Sequence, residues 1–386
     1  WAAQVVASHL LAVQGGCRLL FDYGPHVDAS GIVVPADPDR FGDWRVPSYK
    51  RGDAARNCGN GGGGGGCYQP TRSLSEKTRA LVPAMHAPGR KNVDVALPVA
   101  RVPNYRYAYQ EGKLRFRASD VHSDFADAIR SIPGFSVRDG MACSLGALFE
   151  LSPSSASSIE PQLFASILPA LRDDRALSLG LYVRTGWSDL VAKDGKFPTG
   201  SFGRVVASSE SPDGRTVVPT NETVSKFRDE ARRAVNAALE IERRFLAGEK
   251  AEGMRTTEFD RIVWMVATDW PELKEWIVER YNDTDAAAAD SVPTGTNNEQ
   301  KYGSRQVRRR VIVTRSRGRH TRLSEGPASA DFAEAFLDWW LLGECDVVIK
   351  NMLSFADTAA LRTATPLYDG DAFLPLFAED ANATAT

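Results

Sequence analysis

The sequence predicts an α/β protein whose second half is a doubly wound parallel sheet. Apolar runs of strand length occur at Leu177–Val183, Ile262–Ala267, Val311–Thr314 and Asp346–Ile349. Segments with helical spacing of apolar residues separate or follow them, so strand and helix alternate four times. Right-handed crossovers then lay each helix across a parallel sheet and cover both of its faces. The chain has 386 residues, 43% of them apolar and 25% charged, which suits a globular protein of two domains.

The N-terminal third is mixed. Val5–Val13 is helix-like, and Arg18–Tyr23 is a short buried strand ending before Gly24 and Pro25. Residues 58–67 are almost all glycine and predict a surface loop, because glycine offers nothing to pack. Prolines at 83, 88, 98 and 103 break the next stretch, and a helix is expected from Ser123 to Ile132, stopped by Pro133 and Gly134. The Ser/Pro-rich segment Leu151–Ser158, then Glu160 and Pro161, predicts a boundary between domains 1–160 and 161–386.

Beyond that boundary the pattern is regular. After the strand Leu177–Val183, a long amphipathic helix over Glu222–Leu246 places Val224, Phe227, Ala231, Val235, Ala238 and Phe245 on one face. The strand Ile262–Ala267 leads to a helix over Pro271–Tyr281 with proline in its first turn. The strand Val311–Thr314 precedes a helix over Phe332–Leu342. The strand Asp346–Ile349 precedes a helix containing Thr358–Arg362, and Pro366–Tyr368 adds an edge strand.

Composition removes several functions. A net charge of −2 from 47 basic and 49 acidic residues provides no global field for nucleic acid. The most membrane-like stretch, Ala2–Leu11, is interrupted by Gln4, Ser8 and His9 and falls short of the roughly 18–20 apolar residues a span needs. Membrane attachment is therefore expected only through a segment outside this sequence. Five cysteines form no CxxC pair and five histidines show no ligand spacing, so no metal is assigned. Asp-x-Asp pairs at Asp37/Asp39, Asp283/Asp285 and Asp369/Asp371 sit in turn-rich loops. Cys58 and Cys67 flank the glycine tract and can close it by a disulfide in an oxidising compartment. Sequons at Asn221, Asn282 and Asn382 permit a secretory location. There is no phosphate loop of the Walker type, no Gly-x-Gly-x-x-Gly after a strand and no Gly-x-Ser-x-Gly.

Open parallel sheets bind ligands beyond the carboxyl ends of their strands, near the switch in strand order. Arg184 follows the first C-terminal strand, with Asp189 close behind. Thr268 and Asp269 follow the second, the basic run Arg315–Arg322 containing His320 follows the third, and Ser354 and Phe355 follow the fourth. A guanidinium at Arg184 suits bidentate binding of a phosphate. Ser354 and backbone N–H groups at a helix start suit the same anion. Asp269 can accept from a ribose or base, and Phe355 or Trp270 can cover a ring. Together they describe a nucleoside-diphosphate pocket. Each residue also has a plain structural reading: an ion pair for Arg184, a helix cap for Asp269 and Ser354, a solvated surface for the basic run.

Leu179–Gly186 resembles the strand-and-loop signature of the GDP-fucose-dependent fucosyltransferases of the α1,6, α1,2 and protein O-fucosyl type. Trp264–Asp269 with its Pro-Glu-Leu helix is similar to their second motif. Phe336–Ile349, then Ser354, Phe355 and Thr358–Arg362, are similar to their third. The resemblance covers roughly the last two hundred residues; Leu19–Asp22 and Asp43–Arg45 match more loosely. It implies a GT-B fold, two Rossmann-like domains facing across a cleft, and inverting, metal-independent transfer of fucose or a related sugar from a GDP-sugar to a glycan or glycoprotein acceptor. It implies no cofactor and a location in the Golgi or endoplasmic reticulum lumen. By position, Arg184 carries the leaving-group charge, with Asp189 the nearest acid for catalysis. Thr268, Asp269, His320, Ser354 and Phe355 line the donor. Tyr182 stands where the family has His, so a catalytically inactive nucleotide- or carbohydrate-binding relative is the alternative.

Overall fold

A computed structural model describes residues 9, 32–41, 137–186, 203–207, 215–249, 259–283, 307–318, 329–350, 354–369 and 373–374. The expected helices at Val5–Val13 and Ser123–Ile132, the strand at Arg18–Tyr23, the glycine tract, Asp189 and His320 lie outside these residues, His9 excepted. The chain divides into two compact units. The first comprises Trp1–Ser152, Leu361–Ala364 and Pro375–Thr386, and the second Pro153–Ala360 and Thr365–Leu374.

In the first unit, β1 (Val33–Val34) pairs antiparallel with β2 (Glu150–Leu151), and Ser152 N–H extends the ladder to the Ile32 carbonyl. Helices α1 (Pro38–Phe41) and α2 (Val137–Leu148) accompany it.

The second unit opens with α3 (Pro153–Ile159), a π-turn over Leu163–Ile167 and α4 (Leu168–Leu171). The segment 151–158, expected to mark a domain boundary, contains the division between the two units at Ser152 and Pro153 and is helical from Pro153 onward. Pro153 suits a first helical position, and Ala156 is fully buried, so packing outweighs the serine-rich composition.

The sheet follows. Strand β3 (Ala176–Val183) is buried at every position, as a central parallel strand must be. A hairpin of β4 (Gly203–Ala207) and β5 (Arg215–Pro219) precedes the long helix α5 (Asn221–Leu246). Then come β6 (Arg261–Thr268), α6 (Pro271–Tyr281), β7 (Arg308–Val313), α7 (Ser329–Leu342), β8 (Val347–Lys350), α8 (Ser354–Arg362), β9 (Leu367–Tyr368) and β10 (Phe373–Leu374). Spatial order is β10-β9-β8-β3-β6-β7, with β10 antiparallel and the other five parallel. Strand order therefore reverses between β3 and β8, the arrangement of a doubly wound sheet. Tyr368 is accordingly not at an edge as expected: β10 pairs beyond it.

Helices α5 and α6 cover one face. Leu177, Leu179, Leu181 and Val183 pack with Phe227, Ala231, Val235 and Ile241 of α5 and with Leu273 and Ile277 of α6. Thr220 starts α5 by accepting Thr223 N–H on Oγ1 at 3.2 Å. Glu222 in its first turn and Arg243 and Arg244 in its last complement the helix dipole. Alternate residues of β3 face α7 instead. A methyl on Gly180 would stand 3.1 Å from Leu342 Cδ2 and 3.3 Å from Cys345 Sγ, so a larger residue there would require these side chains to shift.

Strand β7 begins three residues earlier than its apolar run predicts, because Arg308–Arg310 join the ladder beside β6. Arg309 turns inward. Its Nε and a terminal nitrogen donate to Glu242 at 2.9 and 2.6 Å, and its guanidinium carbon lies 4.6 Å from the Trp264 ring centroid. Trp264 Nε1 donates to the same carboxylate. Burial pushes the Glu242 carboxyl above the usual range, with Arg309 opposing. Replacing Arg309 by Lys removes the two-pronged contact and the stacked plane while keeping the charge. It is expected to cost about 1–2 kcal/mol in urea unfolding; an unchanged midpoint would show the fork to be dispensable.

Candidate functional site

Three strand ends are wired together at the carboxyl edge of the sheet. After β3 the chain runs Arg184, Thr185, Gly186, and Gly186 takes φ +85°, a conformation glycine adopts without strain. After β6 comes Asp269, 5% exposed, whose carboxylate fills the turn. Oδ1 accepts Thr185 N–H at 2.7 Å and Thr185 Oγ1–H at 2.8 Å. Oδ2 accepts Gly186 N–H at 2.9 Å and lies 3.4 Å from Arg184 Nε. Asp269 is thus no helix cap. Trp270 occupies the cap of α6 without a side-chain bond, and Thr268 Oγ1 accepts Trp270 N–H at 3.3 Å.

The segment after β7 presses on Asp269 from the other side. Gly318 has φ +67°, and a Cβ there would fall 2.7 Å from the Asp269 carbonyl carbon and 2.8 Å from its Cα. The backbone amides of this segment are taken up internally. Arg315 N–H goes to Glu160, Ser316 N–H to Thr314 Oγ1, Arg317 N–H to Glu334 and Gly318 N–H to Ser316 Oγ. Lys274, 4% exposed, donates to the carbonyls of Thr314 and Ser316 at 3.1 and 2.8 Å, with Asp338 Oδ2 3.9 Å away. Burial raises the Asp338 carboxyl, and Lys274 and Thr314 oppose the rise. Arg309 of β7 and Arg317 of the basic run are engaged by Glu242 and Glu334, respectively.

Across the reversal of strand order, Tyr182 of β3 and Lys350 of β8 are register partners, and both side chains meet α8. Tyr182 stacks on Phe355 with centroids 4.9 Å apart and planes at 23°. Lys350 Nζ donates to Asp357 Oδ1 at 2.8 Å, each side chain 4% exposed. Burial pushes the Asp357 carboxyl up to about 6 against the pull of Lys350. Its Oδ2 has no hydrogen-bond partner. Trp339 Nε1 of α7 donates to Thr358 Oγ1 at 2.9 Å, which ties α8 to its neighbour.

The structure thus brings Arg184 and Asp269 together, turns the Thr268 hydroxyl to Trp270 N–H, and places Phe355 against Tyr182. Ser354 begins α8, the position expected of it. Lys274, Glu160, Glu334, Thr185, Gly318, Lys350 and Asp357 also build this edge. One signal for Lys274 was present: it interrupts the buried stripe of Leu273 and Ile277, where a lysine needs a partner. Among the described residues no group of three His, Cys, Asp or Glu is placed to hold a metal ion, and no helix is long and apolar enough to cross a membrane. Comparison with protein-family models gives no match, and neither does comparison with curated proteins.

Proposed function

We propose that the chain is an inverting, metal-independent glycosyltransferase of the GT-B type that moves fucose, or a related sugar, from a GDP-sugar to a glycan or glycoprotein acceptor. The observation that carries the reading is the order of the sheet. Arg184 directly follows the strand at which the order reverses, and α8, with Ser354 and Phe355 in its first turn, begins beyond the neighbouring strand. That is where a doubly wound sheet receives a diphosphate. In this reading the second unit grips the donor and the N-terminal half supplies the acceptor side. The acceptor hydroxyl oxygen attacks the anomeric carbon as its proton passes to a general base, Asp189 being the acid nearest Arg184 in the sequence. The bond from that carbon to the β-phosphate oxygen breaks, and GDP leaves. Arg184 meets the charge that develops on the leaving oxygen, and Phe355 borders the donor pocket. The luminal location follows from the resemblance.

A catalytically silent relative is the second reading. Tyr182 replaces the family's His and is buried against Phe355, which leaves that position occupied by packing.

Thermal unfolding with GDP, UDP and a short oligonucleotide tests both. GDP alone is expected to raise the midpoint, and hydrolysis of GDP-fucose then separates enzyme from silent binder. Arg184→Ala is expected to abolish the GDP shift and any turnover with little loss of stability. A GDP response retained in that variant would remove Arg184 from the site.

A further inference from the structure

We propose that Asp269 is a positioning residue for Arg184, the built-in occupant of an anion cradle, and not a contact for the nucleoside. Two consecutive backbone amides at a left-handed glycine, a hydroxyl and a guanidinium nitrogen converge on its carboxylate. This donor set is what a loop ordinarily presents to a phosphate. Here a carboxylate from the same chain fills it: Oδ1 accepts two hydrogen bonds and Oδ2 one, and Arg184 Nε stands 3.4 Å from Oδ2 as an ion-pair partner.

Displacement by a ligand is blocked by the packing behind it. The Asp269 backbone lies under Gly318, where there is no room even for a methyl group. Glu160, Glu334 and Lys274 hold the segment carrying Gly318 through its backbone. The amides of Thr185 and Gly186 consequently stay with Asp269 whether or not an anion is bound. Asp269 sets its negative charge 3.4 Å from Arg184 Nε, and this ion pair draws the guanidinium to that side before a ligand arrives. An incoming diphosphate is recognised through that oriented group and not through the loop backbone. The identity of the ligand rests on the nucleoside-diphosphate reading above; the coupling of Asp269 to Arg184 does not.

Two measurements on the full chain separate these. First, thermal unfolding without ligand is compared for wild type, Asp269→Asn, Arg184→Ala and the double variant. Non-additive shifts are expected, because residues in contact share their interaction; additive shifts would overturn the coupling. Second, calorimetric titration uses GDP, pyrophosphate and guanosine as separate probes. Asp269→Asn is expected to weaken GDP and pyrophosphate by roughly tenfold, to leave guanosine unchanged and to add nothing in the Arg184→Ala background. A loss of guanosine affinity would make Asp269 a nucleoside contact and overturn the proposal. A lower unfolding midpoint with unchanged pyrophosphate affinity would reduce Asp269 to a purely structural role and overturn it as well. If wild type binds neither GDP nor pyrophosphate, the nucleotide reading and the ligand half of the proposal fall together, and the unfolding cycle still decides the coupling. Should Asp269→Asn fail to fold, Thr185→Val removes one cradle donor. It is expected to weaken pyrophosphate by a smaller factor with guanosine untouched; pyrophosphate binding at wild-type strength would count against the proposal.

Discussion

Replacing Gly318 by Val is expected to destabilise the second unit by about 3–6 kcal/mol and to remove any GDP response. Two penalties add. A β-branched residue at φ +67° is strained whatever surrounds it, and its Cβ would stand 2.7–2.8 Å from the backbone of Asp269. The neighbour here is main chain, so it cannot rotate away as a side chain would. Relief requires moving Asp269, and with it the four groups that converge on its carboxylate. Gly186→Ala is the informative control: its φ is +85°, yet nothing lies within 4 Å of the added methyl, so about 1 kcal/mol is expected. Equal losses for the two variants in urea unfolding would show that the close approach at 318 contributes nothing.

The backbone plan of the second unit is legible in the sequence because its signals are local. Helix α6 runs Pro271–Tyr281 as expected, since proline at its start fixes one end and the apolar stripe gives its period. Strands β3 and β6 are recognisable because strands buried on both faces need unbroken apolar runs. The errors arise where a tertiary partner changes the meaning of a residue. Arg308–Arg310 resemble solvent-exposed charge until Glu242, more than sixty positions earlier, is found beneath Arg309. The β4–β5 hairpin goes unannounced, although Ser211-Pro212-Asp213-Gly214 is a turn sequence between two valine-containing runs.

The candidate site is legible only in its positions. Strand ends can be listed from the sequence, which is why Arg184, Thr268, Asp269, Ser354 and Phe355 are identifiable. What each side chain touches cannot be read the same way. Asp269 meets Thr185 and Gly186 across 84 and 83 residues, and no spacing rule reports such a contact. An acid just before a tryptophan and a proline resembles a cap, and capping is outweighed here because the β3 loop offers the carboxylate more donors.

Lys350→Met is expected to be among the most damaging single changes away from Arg184, and its effect depends on pH. At pH 8 it leaves the Asp357 carboxylate buried without its cation and is expected to cost about 3–5 kcal/mol. Near pH 4.5 the carboxyl is already protonated, and most of that cost disappears. Asp357→Asn should behave oppositely. In wild type the carboxyl rises from 3.8 to about 6, so the folded state binds the proton more tightly than the unfolded state. The stability contributed by this group is therefore fully present below about pH 4 and is lost as pH rises through about 6, a change of about 3 kcal/mol. An amide at 357 does not titrate. The variant is expected to match wild type near pH 4 and to be more stable than it at pH 8. Denaturant unfolding of the three proteins from pH 4 to pH 8 reads the difference directly, with other titrating groups cancelling between variant and parent. A wild-type-minus-variant difference that stays flat across that range would mean the buried carboxyl keeps an ordinary affinity for its proton. The desolvation argument for α8, and for the unpartnered Oδ2 at its start, would then be wrong.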